Sequence, residues 1–290
     1  MSWRTVVISS SAKLDYQMGY LVVRKDITTK VHLSEIGILI IESTAVSLTA
    51  ALLSELTKRK IKVIFCDEKR NPSSELVSLY GCHDTSLKIK KQIAWQNSSK
   101  MTVWTEIVTD KIRKQEQVLR ILHKKEADIL HGYLGELEYG DATNREGHAA
   151  KVYFNALFGK EFSRSADLII NVALNYGYSI ILSAFNREIT ANGYLTQIGL
   201  FHDNMFNPFN FASDLMEPFR ILVDNKVYHM QPKIFEHKEK MELVNILNHE
   251  VIINERKEYV GNAIKIYCRS VFDAIENSDI SEIRFYRNEL

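Results

Sequence analysis

The chain reads as α+β: a small N-terminal β domain with one helix (residues 1–80), a linker at 81–86, and a larger all-α C-terminal domain (87–290). Three observations predict this. The first 80 residues hold short runs of β-branched and apolar residues, separated by polar breaks at 9–11, 25–29 and 43–44. From Leu87 onward segments lengthen, glycine becomes scarce, and apolar residues recur with a period of about 3.6. The composition is ordinary for a globular chain: 290 residues, 46% apolar, 25% charged, with 12 Gly and 4 Pro. It excludes a mainly disordered, collagen-like or disulfide-scaffold protein and permits a substantial core.

Taken in order, 5–9, 18–23 and 36–41 are strand runs. Residues 47–60 form a helix, because Leu48, Ala51, Leu52 and Leu56 recur at helical spacing and Thr44 or Ser47 is available as a cap. Lys58, Arg59 and Lys60 crowd its C-terminal end, where the helix dipole favours cations. Residues 61–65 make another strand, 71–74 (Asn-Pro-Ser-Ser) a turn, and 75–79 a last strand. Helices are then expected at 88–97, 101–122, 127–134, 146–157, 167–185, 211–223, 238–248 and 259–275. The uncharged run 168–186 reaches membrane-spanning length, but two Asn, a Gly and two Ser interrupt it, so it reads as a buried core helix.

Net charge is +1, so no global basic field announces a polyanionic partner. The mean hides an asymmetry: Lys88 to Lys125 holds ten Lys or Arg against three acids, a surplus of +7 set against −6 elsewhere. Such a run is either a solvated helix face or a surface for phosphates. Three separated cysteines without a CxxC pair point to reduced thiols and a cytoplasmic protein, and residues 1–11 carry no cleavable-signal pattern.

The phosphate-binding GxxxxGK, the dinucleotide GxGxxG, HExxH, a Glu-x-x-His pair and GxSxG are all missing. Three places remain. Glu146 opens a helix whose Ala149, Ala150, Tyr153 and Leu157 share its face, so the carboxylate ends a buried stripe and calls for a cation or metal partner. On the residues alone the more ordinary reading is a solvated carboxylate at a helix N-terminus. His202 follows an apolar segment in Gly199-Leu200-Phe201-His202-Asp203-Asn204, whereas His148 points off the Glu146 face. Asp214 and Glu217, three apart, share a helix face, and Pro218 predicts a kink beside them. A divalent cation would turn the repulsion between those carboxylates into attraction. Carboxylates with an imidazole suit Mg²⁺ or Mn²⁺. Residue type alone does not establish that the three places meet.

The runs Glu146-Gly147-His148-Ala149-Ala150-Lys151-Val152-Tyr153-Phe154, Leu174-Asn175-Tyr176-Gly177-Tyr178, Gly199 to His202 and Asp214 to Arg220 closely resemble, in order and spacing, the CRISPR-associated integrase of the adaptation module, the Cas-one family. The β-rich start resembles that family's N-terminal domain. Asn207-Pro208-Phe209-Asn210-Phe211-Ala212-Ser213 and the compact length resemble its type II branch. The resemblance implies metal ligands at Glu146, His202 and Glu217, with Asp214 as a nearby acid, and Mg²⁺ or Mn²⁺ as cofactor. It implies a strand-transfer reaction in which the 3′-hydroxyl of a foreign DNA fragment attacks the border of a CRISPR repeat. Lys151, Arg220, Lys88, Lys90 and Lys91 are candidates for phosphate contacts. Implied partners are double-stranded DNA, a second copy of the chain, a small ferredoxin-fold companion and, in type II systems, a ring-forming accessory protein and the RNA-guided effector nuclease. Two other readings stay open on the residues: a general metal-dependent DNA endonuclease using water, and a non-catalytic DNA-binding scaffold.

Overall fold

The structure of the chain, a computed structural model, describes residues 4–78 and 82–287. Its N-terminal part contains β1 (Arg4–Ile8), β2 (Ala12–Gln17), β3 (Tyr20–Arg24), β4 (Thr29–His32), β5 (Ile36–Ile41), β6 (Val46–Leu48), α1 (Ala50–Lys58), β7 (Lys62–Cys66) and β8 (Pro72–Leu76). These strands form two four-stranded sheets, ordered β1-β5-β7-β8 and β4-β3-β2-β6. In the first sheet β1, β5 and β7 run parallel and β8 antiparallel.

The uninterrupted apolar run of β5 follows from its position. All six of its residues are buried, as expected of a parallel strand covered on both faces. Because side chains alternate along a strand, Ile38 and Ile40 join Ile64 and Cys66 in the core of the helical part. Leu39 and Ile41 join Val63, Leu14, Leu21 and Leu52 in a second core between the sheets and α1. One strand thus divides the interior in two.

The helical part comprises α2 (Thr85–Ile93), α3 (Asn97–Ile121), α4 (Ala127–Gly135), α5 (Arg145–Phe158), α6 (Ile169–Ala191), α7 (Asn210–Leu215), α8 (Arg220–Met230), α9 (His237–Val244) and α10 (Val260–Asn277). The α+β class stands, with a largely helical second part. That part is not all-α, however. An antiparallel hairpin, β9 (Glu250–Ile253) and β10 (Arg256–Tyr259), precedes α10. Its turn residues Asn254 and Glu255 both have positive φ, 52° and 58°, without the glycine that marks such turns in sequence.

Other boundaries move for local reasons. Met18 and Gly19 are not strand: their φ values of 45° and 88° make the tight turn between β2 and β3. Strand β2 itself lies in a segment where Ala12, Leu14 and Tyr16 alternate with Lys13, Asp15 and Gln17. Helix α1 starts at Ala50 because Thr49, not Thr44 or Ser47, caps it, its hydroxyl accepting from the Leu52 N–H at 3.3 Å. Residues 72–76 are strand and the turn precedes them, Asp67 accepting from the Asn71 N–H at 2.8 Å. Leu79 and the first residue of the expected linker, Gly81, lie outside the described residues. The expected helix 211–223 is broken where Pro218 predicts: α7 ends at Leu215, a 3₁₀ turn spans Glu217–Phe219, and α8 restarts at Arg220. Among the described residues no helix is long and apolar enough to cross a membrane.

Candidate active site

Helix α5 begins abruptly. Asn144 is left-handed at φ 53°, and the Asp141 carboxylate accepts from the N–H groups of Arg145 at 2.7 Å and Glu146 at 3.1 Å. Two of the helix's orphan donors are thereby satisfied, and Glu146 is fixed in the first turn. Ala149, Tyr153 and Leu157 are buried along the same face. Glu217 lies on the 3₁₀ turn at Pro218 between α7 and α8.

The two carboxylates meet at Lys111 of α3. Its Nζ donates both to Glu146 Oε1 and to Glu217 Oε2. The side chains of Lys111 and Glu217 are 8% and 6% exposed, whereas Glu146 is 28% exposed, so the site opens toward solvent on the α5 side. Burial would strip the Lys111 proton, but Glu217 and Glu146 outweigh it and hold the ammonium above its usual range. Burial would likewise raise Glu217. Arg220, whose Nε donates to Glu217 Oε1 at 2.9 Å, and Lys111 prevail and hold that carboxyl at about 2.

His202 sits in the loop between α6 and α7. Asp214, fully buried, accepts through Oδ2 from the N–H groups of Leu200 at 2.6 Å and Phe201 at 3.1 Å. Its Oδ1 takes the His202 N–H at 3.1 Å and the His202 ring at Nδ1. With Asp214 Oδ1 as acceptor, Nδ1 is the donor, and in the neutral ring Nε2 carries the lone pair. The bond to Asp214 raises the His202 pKa against the opposing effect of burial, with Glu217 and Glu146 adding to it. Trp104 of α3 braces the loop, stacking on Phe201 with centroids 4.6 Å apart and meeting the His202 ring edge-on at 5.7 Å. Gly199 is required by space: a Cβ there would lie 2.6 Å from Asp214 Oδ2 and 2.6 Å from the His202 carbonyl oxygen.

Glu146 and Glu217 therefore converge on Lys111, His202 lies close enough for both charges to act on its ring, and Asp214 serves His202. Among the described residues no three His, Cys, Asp or Glu side chains close around one point, because Lys111 holds the place between the two glutamates. Of the basic candidates, Arg220 is engaged by Glu217 and lies over the Tyr178 ring at 4.7 Å. Lys88 and Lys91 both pair with Glu276, at 2.9 and 2.8 Å. Lys90 and Lys151 are exposed. Part of the +7 surplus between Lys88 and Lys125 is answered by acids outside the segment, since Lys88 and Lys91 pair with Glu276 and Lys111 with Glu146 and Glu217.

Lys111, Asp141 and Trp104 build the site without being among the sequence candidates, and Gly199 stood there only as part of the His202 segment. A signal existed for the first. Trp104, Ile107, Val108, Val118 and Leu119 are the buried stripe of α3, and Lys111 stands on that stripe where a core residue belongs.

The family model described as "CRISPR associated protein Cas1" matches residues 5–250. The chain belongs to the Cas1 family. It is 36% identical over 233 residues to a CRISPR-associated endonuclease Cas1 of Neisseria meningitidis serogroup C (strain 8013), covering 79% of this chain and 76% of that protein. Among solved structures it is similar in fold to a casposase bound to integration product, with TM-score 0.75, 18% identity, and coverage of 96% of this chain and 91% of the other. A chain of a Cas6-RT-Cas1–Cas2 complex shares the fold at TM-score 0.73 and 18% identity; 97% of the present chain covers only 36% of that one. The family is that of the CRISPR-associated endonuclease Cas1.

Proposed function

We propose that this Cas1 protein is a divalent-metal-dependent DNA integrase that joins the 3′-hydroxyls of foreign DNA fragments to the borders of a CRISPR repeat by transesterification. One observation carries the proposal: two carboxylates from distant segments, Glu146 and Glu217, are held at one ammonium beside a histidine that a buried carboxylate orients. Glu146, Glu217 and His202 Nε2 would hold Mg²⁺ or Mn²⁺. The donor set fits, because the oxygens of both glutamates already reach a single cation. When bound, such an ion stabilises charge on the transferring phosphate and readies the attacking oxygen.

The chain's own residues supply the framework. Asp214 fixes the His202 tautomer and ring direction, a common arrangement behind a ligating imidazole. Arg220 keeps Glu217 ionised and in place, itself packed over Tyr178. Asp141 sets the start of α5 and hence the height of Glu146. In the reaction the donor's 3′ oxygen forms a bond to phosphorus, the repeat's 3′ oxygen leaves, and one phosphodiester replaces another. Exposed Lys90 and Lys151 are the basic candidates best able to contact phosphates.

The partners follow from the same reading. The casposase of the same fold solved with its integration product supports DNA as substrate, and the Cas6-RT-Cas1–Cas2 complex supports a Cas2 companion, which in our reading is the small ferredoxin-fold protein. We further propose a cytoplasmic homodimer of the type II branch, assisted there by a ring-forming accessory protein and the RNA-guided effector nuclease. Light scattering of the full chain tests the dimer. Removing residues 1–80 would not, because Ile38, Ile40 and Ile64 belong to the helical core.

The decisive experiment mixes the protein, its companion, Mg²⁺ or Mn²⁺, a labelled short duplex and a repeat-bearing plasmid. Label should attach covalently at repeat borders from a 3′-hydroxyl donor and not from a 3′-dideoxy donor. Plasmid nicking without attached label, equal for both donors, would instead identify a hydrolytic endonuclease. Binding with neither product would leave a scaffold.

A further inference from the structure

The residue between the two glutamates is a cation supplied by the chain. Lys111 projects from the middle of the 25-residue helix α3, is nearly fully buried, and donates to both carboxylates at once. Without it, Glu217 would keep Arg220, but Glu146 would be deprived of its one ion-pair partner among the described residues. A buried and a half-buried carboxylate facing each other without that ammonium would repel. A divalent ion shared by the same two oxygens needs the same place, and two cations cannot occupy it together.

We propose that Lys111 is a resident counter-ion of the metal site: it keeps Glu146 and Glu217 converged before the ion arrives and must withdraw for the ion to bind both. This rests on the metal-dependent reading above and goes beyond it, because it makes ion affinity a property set by a residue that is not a ligand. It accounts for a donor set that converges without closing. It also makes loading an exchange of one cation for another, with the carboxylates neutralised throughout.

The test is Mn²⁺ binding to the full-length protein without DNA, read from the electron paramagnetic resonance signal of free Mn²⁺, with Tm measured alongside. Lys111→Met keeps the length of the side chain and removes its charge. The variant should bind Mn²⁺ at least tenfold more tightly than wild type. Its metal-free Tm should fall, and the Tm rise on adding Mn²⁺ should exceed that of wild type. If Lys111→Met does not fold without metal, Lys111→Gln, which retains a donor but no charge, is measured in the same way. Equal or weaker Mn²⁺ binding by the folded variant overturns the proposal while leaving the metal reading intact, provided wild type binds Mn²⁺ and Glu217→Ala does not. No Mn²⁺ binding by wild type, or binding unaffected by Glu217→Ala, overturns both.

Discussion

Replacing Gly199 with alanine tests whether the Asp214 cradle orients His202. Gly199 does not lie among the positive-φ glycines, so its backbone accommodates alanine and only space is at issue. The added Cβ would stand 2.6 Å from Asp214 Oδ2, where ordinary contact begins at 3.4 Å. It would also stand 2.6 Å from the His202 carbonyl oxygen and 3.3 Å from the Asn210 backbone, so it cannot tilt away. The carboxylate must therefore retreat, and Oδ2 is the atom that holds the Leu200 and Phe201 N–H groups. Hydrogen bonds to a charged acceptor contribute roughly 1.5–3 kcal/mol each. Weakening both should cost about 3 kcal/mol after relaxation, against which the entropy gain of Gly→Ala returns only about 0.4–1 kcal/mol. In a chain of this size the net loss of about 2–2.6 kcal/mol lowers Tm by roughly 3–5 °C. With its orienting partner displaced, His202 should support strand transfer about 10- to 100-fold more slowly. Calorimetry and the labelled-donor assay read the two effects. Gly132→Ala is the control, because a Cβ there meets nothing within 4 Å. A Gly199→Ala protein with wild-type Tm and wild-type transfer would refute the argument that Asp214 must stay in place.

Three further outcomes are expected. Glu146→Ala, His202→Ala and Glu217→Ala should each abolish joining of labelled donor while circular dichroism stays native, and a double variant should be scarcely worse than a single one, since the residues act as a unit. Asp224, buried and bonded by the Tyr178 hydroxyl, has its carboxyl pushed up from 3.8 to about 7 by burial. A raised folded pKa favours the fold at low pH, so this stabilisation is complete below 3.8 and is lost as pH rises through about 7. Asp224→Asn should therefore gain stability relative to wild type between pH 4 and 8 by about 4 kcal/mol at most, at 1.36 kcal/mol per pKa unit, measured by urea melts across that range. Finally, affinity for arbitrary duplex DNA should fall steeply with salt, and Lys90→Glu should flatten the log–log slope by about 0.9 for each phosphate it no longer neutralises; an unchanged slope would show that Lys90 does not face DNA.

The fold was legible where apolar residues set the period. The run of β5 and the stripes of α5 and α10 needed only their own side chains. The break at Pro218 followed from ring geometry. What escaped was structure held by turns. Met18-Gly19 and Asn254-Glu255 adopt positive φ without the usual Asn-Gly or Asp-Gly signature, so the β2–β3 and β9–β10 hairpins were not expected. Strand β2 was visible as alternation but not as an apolar run, which is a failure of criterion and not of signal.

The site divided differently. Its acids and imidazole could be found by residue type and by resemblance, because the proposed chemistry needs oxygen and nitrogen donors wherever the chain can place them. What arranges them could not be found that way. Asp214 looked like a third acid beside Glu217, and a helix face three residues wide made the two seem equivalent. The break at Pro218 separates them: Asp214 stays on α7 with both oxygens answered by the loop at 199–202, while Glu217 swings to Lys111 and Arg220. The same backbone break that leaves one carboxylate with the loop delivers the other to Lys111. Pro218 is thus a determinant of which acid reaches the site, although its own side chain donates nothing to it.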